Sequence, residues 1–144
     1  MSGIHNTHPD WKIIATETAS PSNSRGIYNT LSQYNKTGDY QCTAYDTNAV
    51  SWGNTARESW WYTIKDDFVS GEFIWTGFDY LGEPTPYSVY PVGVSSFGTI
   101  DTAGFAKDSF YLYQSQWTST PMVHLLPGNW DQWHDLSLIH ISEP

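Results

Sequence analysis

The chain has 144 residues, with 6 Lys and Arg against 15 Asp and Glu, so its formal net charge is −9. A surface this acidic repels phosphate backbones, which argues against nucleic-acid binding. The sequence has no apolar run near about 18 residues and no basic amphipathic stretch, so it indicates neither a membrane span nor a membrane-surface segment. The N-terminus also lacks the charged start and apolar middle of a signal peptide.

Cys42 is the single cysteine, which excludes an internal disulfide. The five His residues show no paired metal-ligand spacing with it or with one another. We therefore expect no metal site and no cofactor.

Aromatic residues make up 17% of the chain, including eight Trp and ten Tyr. Their flat apolar faces and polar tips suit the apolar faces of sugar rings. Packing of helices onto a sheet is the alternative for any single ring, and both interpretations stay open.

The first predicted element is a buried parallel strand over residues 12–17, a short apolar run with a polar end. Glu17 stands at that end, where parallel α/β barrels place their active sites. Glu17 is therefore a candidate catalytic carboxylate. Residues 18–54 are rich in small and polar side chains and predict a long loop, a type of segment that is usually functional.

A helix is predicted over residues 54–67, with Trp60, Trp61 and Ile64 on one face. Residues 69–79 predict a second strand of aromatic and β-branched character. Because one helix separates the two strands, they should lie parallel in one sheet.

Glycine and prolines predict a loop over residues 80–90. Residues 101–117 predict a turn through Gly104 followed by a helix. Residues 121–133 predict an extended segment that contains a strand over 122–126.

The last nine residues, 136–144, fit nothing before them and resemble the translation of a sequencing-library adaptor. We interpret them as foreign and exclude them from the fold. The expectation is then that the gene was cut near residue 135 and that Met1 is an internal methionine.

Four stretches together resemble the late part of the catalytic barrel of family 2 glycoside hydrolases, in the bacterial β-galactosidase branch. They are ATETAS at 15–20, GEFIWTGFDYLGEPTPY at 71–87, DTAGFAKDSFYLYQSQW at 101–117 and PMVHLLP at 121–127. The resemblance covers about residues 8–133, in the right order. It implies an α/β fold: residues 1–119 would form the last two β/α units of a (β/α)8 TIM barrel, and residues 120–135 would start a β-sandwich domain.

The resemblance assigns the central chemistry to Glu17, which matches the family's nucleophile at the end of the seventh barrel strand. That carboxylate attacks the anomeric carbon and forms a covalent glycosyl-enzyme, so configuration is retained. A solvated or helix-capping Glu is the alternative. Trp75 matches the tryptophan of the eighth strand that lies under the bound sugar, with a core Trp as its alternative.

Five further residues are candidates for binding the substrate. Asp79 and Glu83 would hydrogen-bond sugar hydroxyls or, equally, hold the loop after the second strand. Asp46 and Trp52 resemble a loop that borders the pocket, with a structural role as the alternative. Ser20 would reach the 6-hydroxyl of the sugar.

The chain also departs from the family pattern. The family's proton-donating glutamate, usually in an Asn-Glu pair, does not occur here; the stretch at 94–98 is one residue shorter than usual, and PGNWDQW differs from the usual form. We therefore expect a retaining β-galactosidase fragment that acts on β-galactosides as a whole enzyme but is inactive and poorly soluble alone. The alternatives are a β-glucuronidase or β-mannosidase of the same family, or a non-catalytic carbohydrate-binding module. Residues 68–106 contain no Lys or Arg, which argues against recognition of glucuronate.

Overall fold

The structure is a computed structural model that describes residues 2–28 and 40–126. The described residues form a mixed α/β arrangement, as predicted. In chain order the elements are α1 (Ser2–Thr7), β1 (Ile13–Ala19), α2 (Ala56–Ile64), β2 (Val69–Trp75), β3 (Tyr80–Leu81), β4 (Val94–Ser95) and α3 (Asp108–Trp117).

Strands β1 and β2 pair in parallel, which confirms the orientation predicted from the single helix between them. The pairing begins with Ile13 opposite Val69 and ends with Ala19 opposite Trp75. Strand β1 therefore continues two residues past the predicted end, and β2 stops four residues before it. The carboxyl ends of both strands lie side by side.

Helix α2 begins at a capping box in which two groups satisfy each other. The Thr55 hydroxyl accepts the Glu58 N–H at 3.3 Å, and the Glu58 carboxylate accepts the Thr55 N–H at 3.1 Å. Two polar contacts thus cover backbone donors that the first turn of a helix leaves unpaired.

The face of this helix that carries Trp60, Trp61 and Ile64 is not its buried side. Trp61 and Ile64 are 59% and 50% exposed, whereas the helix buries Ala56, Ser59 and Thr63. The physical reason is that the buried side of α2 faces the Glu72 carboxylate of β2, whose Oε2 accepts the short hydroxyl side chains of Ser59 and Thr63 at 2.8 and 3.0 Å.

The segment after β2 contains more structure than the predicted loop. Within it, β3 pairs with β4 in antiparallel orientation. Two-residue strands are too short to leave a periodic pattern in a sequence. The predicted turn through Gly104 is confirmed: its N–H donates to the Asp101 carbonyl at 2.9 Å and its φ is +88°. Helix α3 then starts at Asp108.

Residues 122–126 are not a strand, contrary to the prediction. No described residue pairs with them, and a strand requires a hydrogen-bonded neighbour. The predicted foreign segment at 136–144 lies outside the described residues, as does most of the predicted start of a β-sandwich. Helix α1 was not predicted. Across residues 2–28 and 40–126, no helix has both the length and the apolarity needed to cross a bilayer.

Buried polar side chains are concentrated in the segments that follow β1 and β2. Ser20, Ser22 and Asn23 follow β1 directly, and Ser95 and Thr99 lie beyond β2. Backbone hydrogen bonds join these segments, since the N–H groups of Ser22 and Asn23 donate to the Asn48 and Ser96 carbonyls at 3.1 and 3.2 Å. The fold therefore fixes the loops at the carboxyl ends of its two parallel strands.

Candidate active site

Glu17 lies near the carboxyl end of β1, two residues before its last residue, and is exposed. It lines a cavity of about 510 Å³ together with Ser20 and Trp52. Asn54 and part of α2, including Tyr62, complete the wall. The structure therefore brings three of the predicted site residues together around one concave surface.

The backbone after β1 turns sharply and packs against the loop that carries Trp52. Ala19 and Ser20 have φ values of +68° and +74°, a region that non-glycine residues rarely adopt. The Ala19 carbonyl accepts the Asn54 N–H at 2.8 Å. A Cβ on Gly53 would lie 2.6 Å from that same carbonyl oxygen, so only glycine fits there. Such strained, over-determined backbone is concentrated at functional sites.

Trp75 ends β2 directly beside this turn. Its carbonyl accepts the Ser20 N–H at 3.3 Å, and it pairs with Ala19 across the sheet. The residue is 38% exposed and makes a T-shaped contact with Tyr80, with 6.0 Å between ring centroids. Part of Trp75 is therefore open to solvent at the same end of the sheet as Glu17.

Asp46 caps the N-terminus of α2. Its two carboxylate oxygens accept the N–H groups of Ala56 at 2.9 Å and of Arg57 at 2.8 Å. Burial raises the pKa of Asp46 above its ordinary value, although these two bonds act in the opposite direction. The carboxylate of Asp46 is thus already engaged by the protein.

Asp79 lies outside the lining of the Glu17 cavity and forms an ion pair with Lys107. Its Oδ1 is 2.7 Å from the Lys107 Nζ and accepts the Gly98 N–H at 2.8 Å. Burial raises the pKa of Asp79 and lowers that of Lys107, while the attraction between the two acts against both shifts. Asp79 also lines a second cavity of about 510 Å³, with Arg25 and Asp101.

Glu83 lies in the turn after β3, with its side chain exposed and a φ of +43°. Its carbonyl oxygen accepts hydrogen bonds from the hydroxyls of Ser95 and of Thr85, the latter at 3.2 Å. The structure therefore gathers Glu17, Ser20 and Trp52, places Trp75 beside them, and puts Asp46, Asp79 and Glu83 elsewhere.

Two charged groups were missed from the sequence. Lys107 is buried, with 2% of it exposed, and the half-buried Glu72 accepts three hydroxyl groups at its carboxylate. The available signal was an acid inside an apolar strand, between Gly71 and Phe73, and a lysine directly before a helix. In the described part of the chain, no group of three or more His, Cys, Asp and Glu side chains could hold a metal ion.

No protein-family model matches the chain. The chain is 41% identical over 142 residues to Beta-galactosidase BoGH2A of Bacteroides ovatus, and the match covers 90% of this chain and 17% of that protein. The crystal structure of a beta-glycosidase from Bacteroides vulgatus matches with a TM-score of 0.71 and 34% identity, over 88% of this chain and 19% of that one. The chain belongs to the family 2 glycoside hydrolases.

A second relative of the chain is a protein of Formosa agariphila provisionally named beta-glucuronidase. It is 41% identical over 87 residues, which cover 59% of this chain and 8% of that protein. The chain thus spans less than a fifth of the length of each of these three glycosidase relatives.

Proposed function

We propose that this segment belongs to a retaining β-galactosidase in which Glu17 is the nucleophile. The observation that carries the proposal is the position of Glu17, exposed at the carboxyl end of a parallel strand and facing a cavity of about 510 Å³. The 41% identity to a protein named β-galactosidase supports the choice of sugar. The Glu17 carboxylate would attack the anomeric carbon, displace the leaving group and form a glycosyl ester that water then hydrolyses.

The sugar in this proposal contacts Glu17 at its anomeric carbon and Trp75 on an apolar ring face. The partly exposed indole of Trp75, beside Ala19 and Ser20, supports this arrangement, because aromatic faces stack on sugar C–H groups. Trp52, which is 77% exposed, would border the entrance, and Ser20 would donate to the sugar 6-hydroxyl.

Asp46 and Asp79 act in the proposal mainly by holding backbone around the site, whereas the exposed Glu83 carboxylate would hydrogen-bond sugar hydroxyls. The two N–H groups on Asp46 and the Lys107 partner of Asp79 support this assignment. A carboxylate whose oxygens already accept protein donors has fewer lone pairs left for sugar hydroxyls.

The proposed architecture is that of the resemblance, with residues 1–119 as the last two β/α units of a (β/α)8 barrel. The parallel β1 and β2, joined through α2 and followed by α3, support it. Residues 120–135 would start a β-sandwich domain, and 136–144 would be foreign sequence. The proton donor would lie in another part of the longer protein, and without it the segment would be inactive alone.

The experiment compares the full-length protein that contains this segment with its Glu17→Gln variant on p-nitrophenyl β-galactoside. The matched control is Asp67→Asn, which removes an exposed carboxylate after α2. We expect kcat to fall by a factor on the order of 10⁴ in Glu17→Gln and to stay within about twofold in Asp67→Asn. Equal activity in all three proteins would refute the assignment of the nucleophile.

A second candidate substrate is a β-glucuronide, favoured by the Formosa agariphila relative. Recognition of its carboxylate needs a cation. Lys65 lines the same cavity as Glu17 and lies 4.0 Å from Asp66, whereas Arg25 lies in the second cavity and is paired with Asp101 at 2.6 Å. The same enzyme assayed on p-nitrophenyl β-glucuronide and β-mannoside separates these cases. Binding of galactose without hydrolysis of any of the three glycosides would point to a carbohydrate-binding module.

A further inference from the structure

Glu72 of β2 joins two elements through a single carboxylate oxygen. Its Oε2 accepts the Thr18 hydroxyl of β1 at 2.7 Å. The same oxygen accepts two hydroxyls of α2, from Ser59 at 2.8 Å and from Thr63 at 3.0 Å. Hydrogen bonds to an ionised acceptor are about twice as strong as bonds between neutral groups. Glu72 therefore ties β1, β2 and α2 together at one point.

This point lies at an irregularity of the sheet. Ala15 pairs with Glu72 and Thr18 pairs with Ile74, so three steps along β1 match two steps along β2. The extra residue falls between Ala15 and Thr18, in the stretch that contains Glu17. A bulge of this kind bends the strand and changes the direction of a side chain.

The bulge also removes regular ladder bonds from the stretch around Glu17, so other contacts must fix its backbone. Thr18 supplies two of them, since its hydroxyl contacts the Glu72 carboxylate and also the Phe73 carbonyl at 3.3 Å. Both contacts come directly after Glu17 in the chain. The direction of the Glu17 side chain thus depends on where Thr18 is held.

We propose that Glu72 is a positioning residue that acts through Thr18 to hold the β1 bulge and thereby aim Glu17 at the anomeric carbon. This inference rests on the proposed function. It assigns to a half-buried strand carboxylate a role in the reaction without contact with the sugar. A misplacement of about 1 Å can cost on the order of 10²-fold in rate, so a tether of this kind affects kcat.

The test compares two isosteric variants in the full-length protein, Thr18→Val and Thr63→Val. Each removes one hydroxyl donor from the same Glu72 oxygen, but the first releases β1 and the second releases α2. We expect kcat on p-nitrophenyl β-galactoside to fall about 10- to 100-fold in Thr18→Val, with KM within about threefold. Thr63→Val also alters the cavity wall, so it controls for that change: we expect a comparable loss of thermal stability and a kcat at least about threefold higher than that of Thr18→Val.

Amide hydrogen exchange, followed by mass spectrometry on the same proteins, is the readout that does not need activity. We expect exchange in residues 16–19 to rise about 10-fold in Thr18→Val and to stay unchanged in Thr63→Val. Glu72→Gln keeps an acceptor oxygen and should retain most of the activity, whereas Glu72→Leu should lose as much as Thr18→Val.

The outcomes separate this inference from the proposed function. Equal exchange and equal kcat in the two Thr variants would overturn the positioning role. Faster exchange around Glu17 in Thr18→Val alone, in a protein that hydrolyses no glycoside, would support the tether and refute the proposed function.

Discussion

The buried pair of Lys107 and Asp79 gives the sharpest prediction on stability. The side chains are 2% and 9% exposed, and Lys107 Nζ also donates to the Asn23 carbonyl at 2.7 Å and the Ser96 carbonyl at 3.4 Å. In Lys107→Met, Asp79 becomes a buried charge without its cation, and two carbonyls lose a donor. Removing one partner of a buried pair costs about 3–5 kcal/mol. With a urea slope of about 2 kcal/mol/M, the unfolding midpoint should fall by about 1.5–2.5 M.

Urea unfolding of the 144-residue chain at submicromolar concentration, followed by tryptophan fluorescence, measures this shift. The control is Lys65→Met, which removes a partly exposed pair at 4.0 Å and should change the free energy of unfolding by less than about 0.5 kcal/mol. Adding Asp79→Asn to Lys107→Met removes the unpaired charge but keeps an acceptor for Gly98. The double variant should therefore be about 1–2 kcal/mol more stable than Lys107→Met. A double variant no more stable than Lys107→Met would refute the coupling.

Three further predictions follow from the described contacts. Gly98→Ala should destabilise the chain by about 3 kcal/mol or more, because the new Cβ would lie 2.1 Å from the Asp79 backbone nitrogen. The control is Gly77→Ala, whose Cβ would have nothing within 4 Å and which should cost less than about 1 kcal/mol. Equal urea midpoints for the two variants would contradict this prediction. Burial raises the pKa of Asp46 above 3.8 in the folded chain, so the folded state keeps its proton to higher pH than the unfolded one. From pH 3 to 7 the wild type should therefore lose stability relative to Asp46→Asn, because the unfolded chain releases this proton at lower pH than the folded one. Urea titrations in which this relative stability rises over the same pH range would contradict the burial argument. The isolated chain should self-associate at micromolar concentration because many large apolar side chains are exposed, and a monomer in sedimentation velocity would argue against this.

The sequence was sufficient for the elements whose pattern is local. The apolar runs before Glu17 and Trp75, with one helix between them, predicted the parallel pair, and Gly104 predicted its turn. What could not be predicted depends on contacts across the fold. The β1 bulge is set by pairing with β2, a choice that leaves no periodic signal in either strand.

The packing of helix α2 likewise depends on contacts that its own sequence does not show. Trp61 and Ile64 look like its core in the sequence, but the acid opposite the helix selects Ser59 and Thr63 instead. The Glu72 carboxylate accepts hydrogen bonds from hydroxyls 13 and 54 residues away in the chain, which no local pattern relates. The position of Glu17 was easier to predict, because it depends only on the place where one parallel strand ends, and Glu17 lines a cavity at that end.

Trapping of the glycosyl-enzyme tests directly whether Glu17 is the nucleophile. The full-length protein is incubated with 2,4-dinitrophenyl 2-deoxy-2-fluoro-β-galactoside, digested with a protease, and analysed by mass spectrometry. We expect a covalent 2-deoxy-2-fluorogalactosyl ester on Glu17, and none in Glu17→Gln. An ester on another carboxylate, or hydrolysis with inversion and no trapped ester, would contradict it.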